Sequence, residues 1–264
     1  MEIVRRSSEL KAVWSKQYVS LAHVFASVLG PRRIRVVEIG CGRGQLTVPL
    51  AKRAKNIQFV LVDRFVGTNY SKNYRTLTRN LRKTRLTERA HTVVSDYMKW
   101  VATQDNDTYD AIISSEFIPE IDSTDTHELI RECYRILKPE GITIHSFLSP
   151  TPRNLRQRLL ITADSNPLWT NTPPKEWFSP KPGQIIRELR ESGFHRILKT
   201  ILRARLIMKA NAAESWLRSA EVKTGFYQKY KEQLNESGLE VPDWVVVSGV
   251  KPKGTRKAEF HPST

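Results

Sequence analysis

Cysteine is almost missing from this chain: Cys41 and Cys133 are the only two in 264 residues. Neither belongs to a CxxC pair or a Cys/His cluster, so zinc sites of the usual spacing are excluded and no metal is expected. Cys41 falls inside a glycine turn and Cys133 inside a helical pattern, which makes a structural disulfide between them unexpected. No uninterrupted apolar run approaches the roughly 20 residues that a membrane span requires. The first residues, MEIVRRSSEL, lack the apolar stretch of a signal peptide. These absences lead to the expectation of a soluble, cytoplasmic protein. Acid is also scarce relative to base. Forty-three Lys and Arg face 27 Asp and Glu, for a formal net charge of +16. Such an excess attracts polyanions, although arginine-rich solvated faces would produce the same balance.

Apolar residues at helical spacing run through 7–29 (Leu10, Val13, Trp14, Tyr18, Leu21, Val24, Phe25, Val28), and Gly30-Pro31 stops them. Strands and helices then alternate. Ile34–Ile39 reads as a strand feeding a glycine turn, and 46–54 as a short helix. Gln58–Val62 is a second strand, ending in Asp63. A helix is predicted over 70–86, strands over 91–95 and 109–114, and a helix over 126–137 that Lys138-Pro139-Glu140-Gly141 terminates. A fifth strand, Ile142–Phe147, follows directly. Near-continuous apolar strands separated by helices predict a parallel sheet covered on both faces. Seven of the 14 prolines lie between Pro150 and Pro182, so 149–182 cannot form one long helix. Trp169, Trp177 and Phe178 stand in that segment. A helix at 184–191, a strand within 194–208, a helical insert at 211–236 and a last strand, Trp244–Val250, complete the pattern. The basic tail from Lys251 is expected to fray.

The chemistry concentrates in VVEIGCGRG, residues 36–44. A strand running into Gly40-Cys41-Gly42-Arg43-Gly44 and then a helix is a nucleotide-binding geometry, because glycines permit positive φ and close approach of a ligand to the backbone. Gln45 occupies the position of the third glycine in dinucleotide-binding turns. A P-loop is excluded, since no Gly-Lys-Ser/Thr follows. Glu38, two residues before the first glycine, suits a ligand carrying an ammonium group and has no use beside a pyrophosphate.

With these residues the sequence resembles the class I S-adenosylmethionine-dependent methyltransferases, whose first motif, E/D-x-G-x-G-x-G, is matched by Glu38, Gly40, Gly42 and Gly44. The resemblance runs from about 34 to 148 and returns more loosely over 184–250. It implies an α/β fold with a doubly wound, mostly parallel seven-stranded sheet, preceded by an N-terminal helix over 1–30. One methyltransferase domain is then expected over 1–264: a cofactor-binding core at 34–148, a lid insertion at 149–182 and the rest of the sheet at 183–250. S-adenosyl-L-methionine is the implied cofactor. The turn, with Cys41, would hold its methionine part, and Glu38 its amino group. Asp63 would accept the ribose hydroxyls and Asp96 the adenine amino group, with Tyr97 against the adenine face. Ser115, at the end of the fourth strand, would lie beside the cofactor. A helix cap or turn is the alternative role for Asp63 and Asp96.

A sulfonium cofactor is already activated, so the protein must mainly align a nucleophile with the methyl group. Residues 114–120, Ser-Ser-Glu-Phe-Ile-Pro-Glu, are expected to face that group. They depart from the Asn/Asp-Pro-Pro-Tyr/Phe pattern of enzymes that methylate exocyclic base nitrogens. Glu116 and His145 are the candidate catalytic residues; a solvated loop carboxylate and a hydrogen-bonded core histidine are the alternatives. Trp169, Trp177 and Phe178, with Trp216, Phe226, Tyr227 and Tyr230 opposite, either wall an acceptor pocket or only pack the insertions. A small or medium-sized acceptor methylated at O, N or C is the first expectation. RNA is the second, through the net charge and the stripe Lys72, Arg75, Arg79 and Arg82. A non-catalytic cofactor-binding partner is the third.

Overall fold

The structure, a computed structural model, describes residues 2–65, 70–165, 168–169, 180–220 and 222–254. The chain begins with helix α1 (Glu2–Leu29), then β1 (Ile34–Ile39), α2 (Thr47–Arg53), β2 (Ile57–Asp63), α3 (Tyr70–Lys83) and β3 (Ala90–Val94). Next come α4 (Tyr97–Ala102), β4 (Tyr109–Ser115), α5 (Ser123–Ile136), β5 (Leu137–Leu148), α6 (Leu155–Ser165) and α7 (Pro182–Glu191). The remainder is β6 (His195–Leu202), β7 (Ile207–Met208), α8 (Ala210–Ser219), α9 (Thr224–Ser237), β8 (Leu239–Glu240) and β9 (Trp244–Val250). Seven strands form one sheet in the order β3-β2-β1-β4-β5-β9-β6. The first five are parallel, and β9 runs antiparallel to both β5 and β6. The order reverses between β1 and β4, which opens a crevice at their carboxyl ends where doubly wound sheets bind ligands. No described helix is long and apolar enough to cross a membrane.

Alternation along the strands sorts the core into two layers. Val36, Ile57, Leu61, Ile113 and Ile144 point to the face covered by α1, α2 and α3, where Leu21, Phe25, Leu50 and Leu77 are fully buried. Val37, Val62, Ile112 and Phe147 point to the other, covered by α4, α5 and α7 through residues such as Val101, Leu129 and Ile185. This parity decides which side chains reach a given helix layer.

Besides the split of the insert into α8 and α9 and the short β8, three elements differ from the sequence-based prediction. The short α4 was not predicted; Asp96 starts it, accepting from the Met98 and Lys99 amides at 3.0 and 3.3 Å. The fifth strand begins at Leu137, five residues early. Leu137 already pairs with Tyr109, and pairing resumes at Ile142 opposite Ala111, so Lys138–Gly141 bulges out of a continuous strand. The bulge is held by Lys251, whose amide donates to the Gly141 carbonyl and whose carbonyl accepts from the Glu140 amide. Third, α6 forms inside the proline-rich segment, starting three residues beyond Pro152.

A polar clasp ties α6 to the chain between β8 and β9. Arg153 pairs with Glu240 at 2.6 Å and Asp243 at 3.2 Å. The fully buried Gln157 donates to Glu240, to Asp243 and to the Val241 carbonyl. Gln157→Leu would leave buried acceptors without that donor. We expect it to cost about 1–3 kcal/mol in chemical denaturation; a loss under about 0.5 kcal/mol would show that the clasp carries no stability.

Candidate active site

The glycine turn crosses the carboxyl end of β1 and is tied to β2 by hydrogen bonds. The Gly40 amide donates to the Val62 carbonyl at 2.8 Å. The Gly42 amide donates to Asp63 Oδ2 at 2.8 Å, and the Phe65 amide to Asp63 Oδ1 at 2.6 Å. Asp63 therefore shapes the turn while each of its oxygens keeps further lone-pair capacity. Gly40 has φ +71°, and a Cβ there would collide with the Phe117 ring. Gly42, at φ +51°, faces only the Gln45 side chain and leaves room above the backbone. Gly44 closes the turn by donating to the Cys41 carbonyl, and Cys41 itself is buried.

Glu38 lies under this turn, 2% exposed, on the α1–α3 face. Among the described residues its carboxyl has one hydrogen-bond donor, the Thr47 hydroxyl of α2, at 2.6 Å. Burial, reinforced by the charge of Asp63 and opposed by the Thr47 hydrogen bond, pushes its pKa up to about 8. A buried carboxyl with one donor is suited to an approaching cation, which would favour the ionised form.

The other expected residues divide. Asp96 is half-buried at the start of α4, where it caps the helix and lies 3.7 Å from Arg64. Tyr97 requires a correction. Its ring is 5% exposed and packs edge-on against Phe117 at 4.9 Å, so it is committed to the core and offers no face to an adenine. Its hydroxyl has no hydrogen-bond partner among the described residues. Ser115 accepts from the Ser146 hydroxyl at 3.0 Å. Glu116 follows β4 in the left-handed region, φ +56°, and its Oε1 accepts from the Leu148 amide at 2.8 Å.

His145 is also corrected. Strand parity turns it, with Thr143 and Phe147, toward the α4–α5–α7 layer. It is fully buried, with Nδ1 2.8 Å from the Ser114 hydroxyl and Nε2 2.8 Å from the Thr143 hydroxyl. Burial lowers its pKa to about 4, so it is a neutral core residue away from the crevice.

A cavity of about 690 Å³ opens beside the turn, on the α1–α3 face, within the usual range for ligand sites. Tyr18 of α1, Arg43 and Gln45 of the turn, Lys52 of α2, Asn80 of α3 and Glu116 line it. Tyr18 is the residue that the sequence does not single out, because its place in an apolar helical pattern hides its hydroxyl. Burial, then the charges of Glu116 and Glu38, raise its pKa above the ordinary range, so the hydroxyl stays protonated. It hydrogen-bonds Ser115, and its ring meets Trp244 edge-on at 5.6 Å.

None of the described insert aromatics borders this cavity. Trp169 packs on Phe226 and Tyr230 at 5.7 and 6.3 Å, and Trp216 and Tyr227 pack against the core. Their observed contacts join the two insertions. Trp177 and Phe178 lie outside the described residues.

Residues 36–141 match the family model for a methyltransferase domain. A solved S-adenosylmethionine-dependent methyltransferase from Archaeoglobus fulgidus is similar at 19% identity and TM-score 0.57, covering 90% of this chain and 94% of that one. Phosphoethanolamine N-methyltransferase 2 of Haemonchus contortus, solved with phosphomonomethylethanolamine and S-adenosylhomocysteine, is similar at 17% identity and TM-score 0.57. That alignment covers 92% of this chain and 57% of that one. The [4+2]-cyclase SpnF shares the fold at 18% identity and TM-score 0.58, covering 90% of this chain and 81% of that one. Among curated proteins no sequence match is found. Residues 36–141 thus match a methyltransferase domain, and the solved neighbours share the fold of the chain, without an identified subfamily. The cyclase is a reminder that this fold alone does not fix the reaction.

Glu38 and His145 set opposite pH slopes. Glu38 binds its proton more tightly in the folded chain, so it costs stability as pH rises from its ordinary 4.5 to about 8. His145 binds its proton less tightly, so its contribution is lost as pH falls from 6.5 to about 4. The two offset each other between 4.5 and 6.5 and leave the Glu38 slope alone from 6.5 to 8. In Glu38→Gln, the decline in denaturation free energy over that upper window should flatten. An unchanged slope would mean that Glu38 is ionised in the folded protein throughout.

Proposed function

We propose that the chain works as one domain that transfers a methyl group from S-adenosyl-L-methionine to an O, N or C atom of a small or medium-sized acceptor. The buried Glu38, with a single hydroxyl donor beneath a turn open at Gly42, carries this reading. These residues fit the cofactor. Glu38 would face its ammonium group, the Gly40–Gly44 turn its methionine part, Asp63 its ribose and Asp96 its adenine; Ser115 would border it at the end of β4. When bound, the cofactor supplies an electrophilic methyl group that needs no further activation.

The chain's own residues then hold the acceptor and manage its proton. Glu116, fixed by the Leu148 amide, is the candidate for a polar contact or for taking a proton from the acceptor. Tyr18, held protonated, serves as a hydrogen-bond donor that orients the acceptor and not as a base. The apolar lining from Val19, Val48 and Pro49 favours a compact group over bulk water.

Calorimetric titration with S-adenosylmethionine tests this reading. We expect saturable binding by the wild type, weakened about tenfold or more in Glu38→Gln with native circular dichroism retained. A tenfold loss corresponds to about 1.4 kcal/mol. Absence of wild-type binding would overturn the assignment. Labelled methyl groups supplied with a fractionated extract should enter one fraction with the wild type and much less with Glu116→Gln; equal labelling would remove Glu116 from the reaction.

A further inference from the structure

We propose that the outer face of α3 docks a single-stranded nucleic acid, and that the medium-sized acceptor of the methyl-transfer reading above, on which this second half rests, is one nucleotide of that strand turned into the neighbouring cavity. From Arg64 through Thr87 the chain has seven Lys and Arg and not one Asp or Glu. At the start of this segment Arg64 pairs with Asp96, and several cations elsewhere are paired: Arg135 with Glu132, Lys138 with Asp110, Arg218 with Glu214 and Lys251 with Asp107. Among the described ion pairs none uses a cation of α3. Arg75, Arg79, Arg82 and Lys83 are exposed and, with Tyr74 and Thr78, border a shallow groove along the helix. Like charges gathered without counter-charges repel one another, and an external polyanion relieves that repulsion.

The shape of the patch selects the partner. Arg75 to Arg82 spans seven residues, about 10 Å along the axis, so one small anion cannot bridge it. Leu77 and Leu81 point inward, at 0% and 4% exposure, leaving the outer face no apolar stripe to insert into a bilayer. Arginines prevail over lysines, as suits bidentate contacts with phosphate. Tyr74, 38% exposed, adds an aromatic surface among them, and its ring is braced edge-on by Phe65 at 5.2 Å. Cations with an interleaved aromatic are the makings of a single-strand platform.

Position completes the case. Thr76 and Asn80, on the inner flank of α3, line the same cavity as Glu116, and the Asn80 amide donates to the Arg43 carbonyl at 3.0 Å. A strand lying on the arginines thus passes the cavity mouth. A duplex would keep its bases stacked, whereas a single strand can turn one inward.

Binding of the full chain to a fluorescein-labelled 20-nucleotide single-stranded RNA, followed by anisotropy across a salt series, tests the proposal. The same sequence as single-stranded DNA and as duplex RNA, and phosphatidylserine vesicles, form parallel arms. We expect the RNA to bind, with DNA weaker or equal according to whether the ribose hydroxyl is read, and the duplex weaker than either single strand. Arg75→Gln/Arg79→Gln/Arg82→Gln should lose tenfold or more in affinity, and its salt slope should be shallower by about 2, at about 0.7 per phosphate contact. Removing the same charge from the opposite face, by Arg131→Gln/Arg187→Gln/Arg190→Gln, should change affinity less than twofold. Equal losses in the two triple variants, no loss in the first, or binding to vesicles but not to RNA would overturn the proposal. Calorimetry with S-adenosylmethionine separates the two readings. Cofactor binding without RNA binding removes only the docking face, whereas RNA binding without cofactor binding removes the methyl-transfer reading.

Discussion

Glu38 stands on β1, an interior strand of the sheet, 2% exposed, with one hydroxyl to hold it. A carboxyl in that position is tolerated only when protonated or when opposed by a positive charge. The turn above it, the Asp63 carboxylate that fastens the turn to β2, and the opening over Gly42 all lie around this one buried carboxyl. Without it the glycine turn would be a tight connection between a strand and a helix. With it, the crevice has a preference for a ligand that brings its own positive charge.

The second constraint is parity. A residue on a buried strand faces one helix layer or the other, and a shift of one position moves it across the sheet. Glu38 faces α2, beneath the glycine turn, and is the group proposed to meet the cofactor. His145, equally polar and on a neighbouring part of the same sheet, faces α5 and is sealed between two hydroxyls. The difference between a functional group and a structural one is here a difference of register, not of chemistry.

Much of this was legible in the chain. Alternation of apolar strands with helices led to the parallel sheet, and the β-branched run 34–39 to the strand that feeds the glycine turn. Glu38, Gly40, Gly42 and Gly44 could be recognised because their spacing is itself the geometry of the turn. What escaped was set by tertiary contacts. Nothing local tells that His145 turns away from the crevice, that Tyr97 packs on Phe117, or that the Tyr18 hydroxyl reaches Ser115 across more than ninety residues. The six-residue α4 is too short for a helical period, and Asp96, which caps it, reads equally as a ligand. The insert aromatics are rich in chemistry on paper, yet the described ones meet each other and the core.

The part of α1 that walls the cavity also seals the core. Tyr18 reaches the site one turn before Leu21 and two before Phe25, and both of these are wholly enclosed. Swinging that helix outward would expose two large side chains at about 1.5–3 kcal/mol each, before counting the contacts it shares with α2. This wall therefore behaves as a fixed jamb and not as a door. Asn80 and Arg43 line the same cavity outside the buried core, so the residues that meet a substrate there and those that stabilise the fold are different sets. Evolution can retune the first without risking the second.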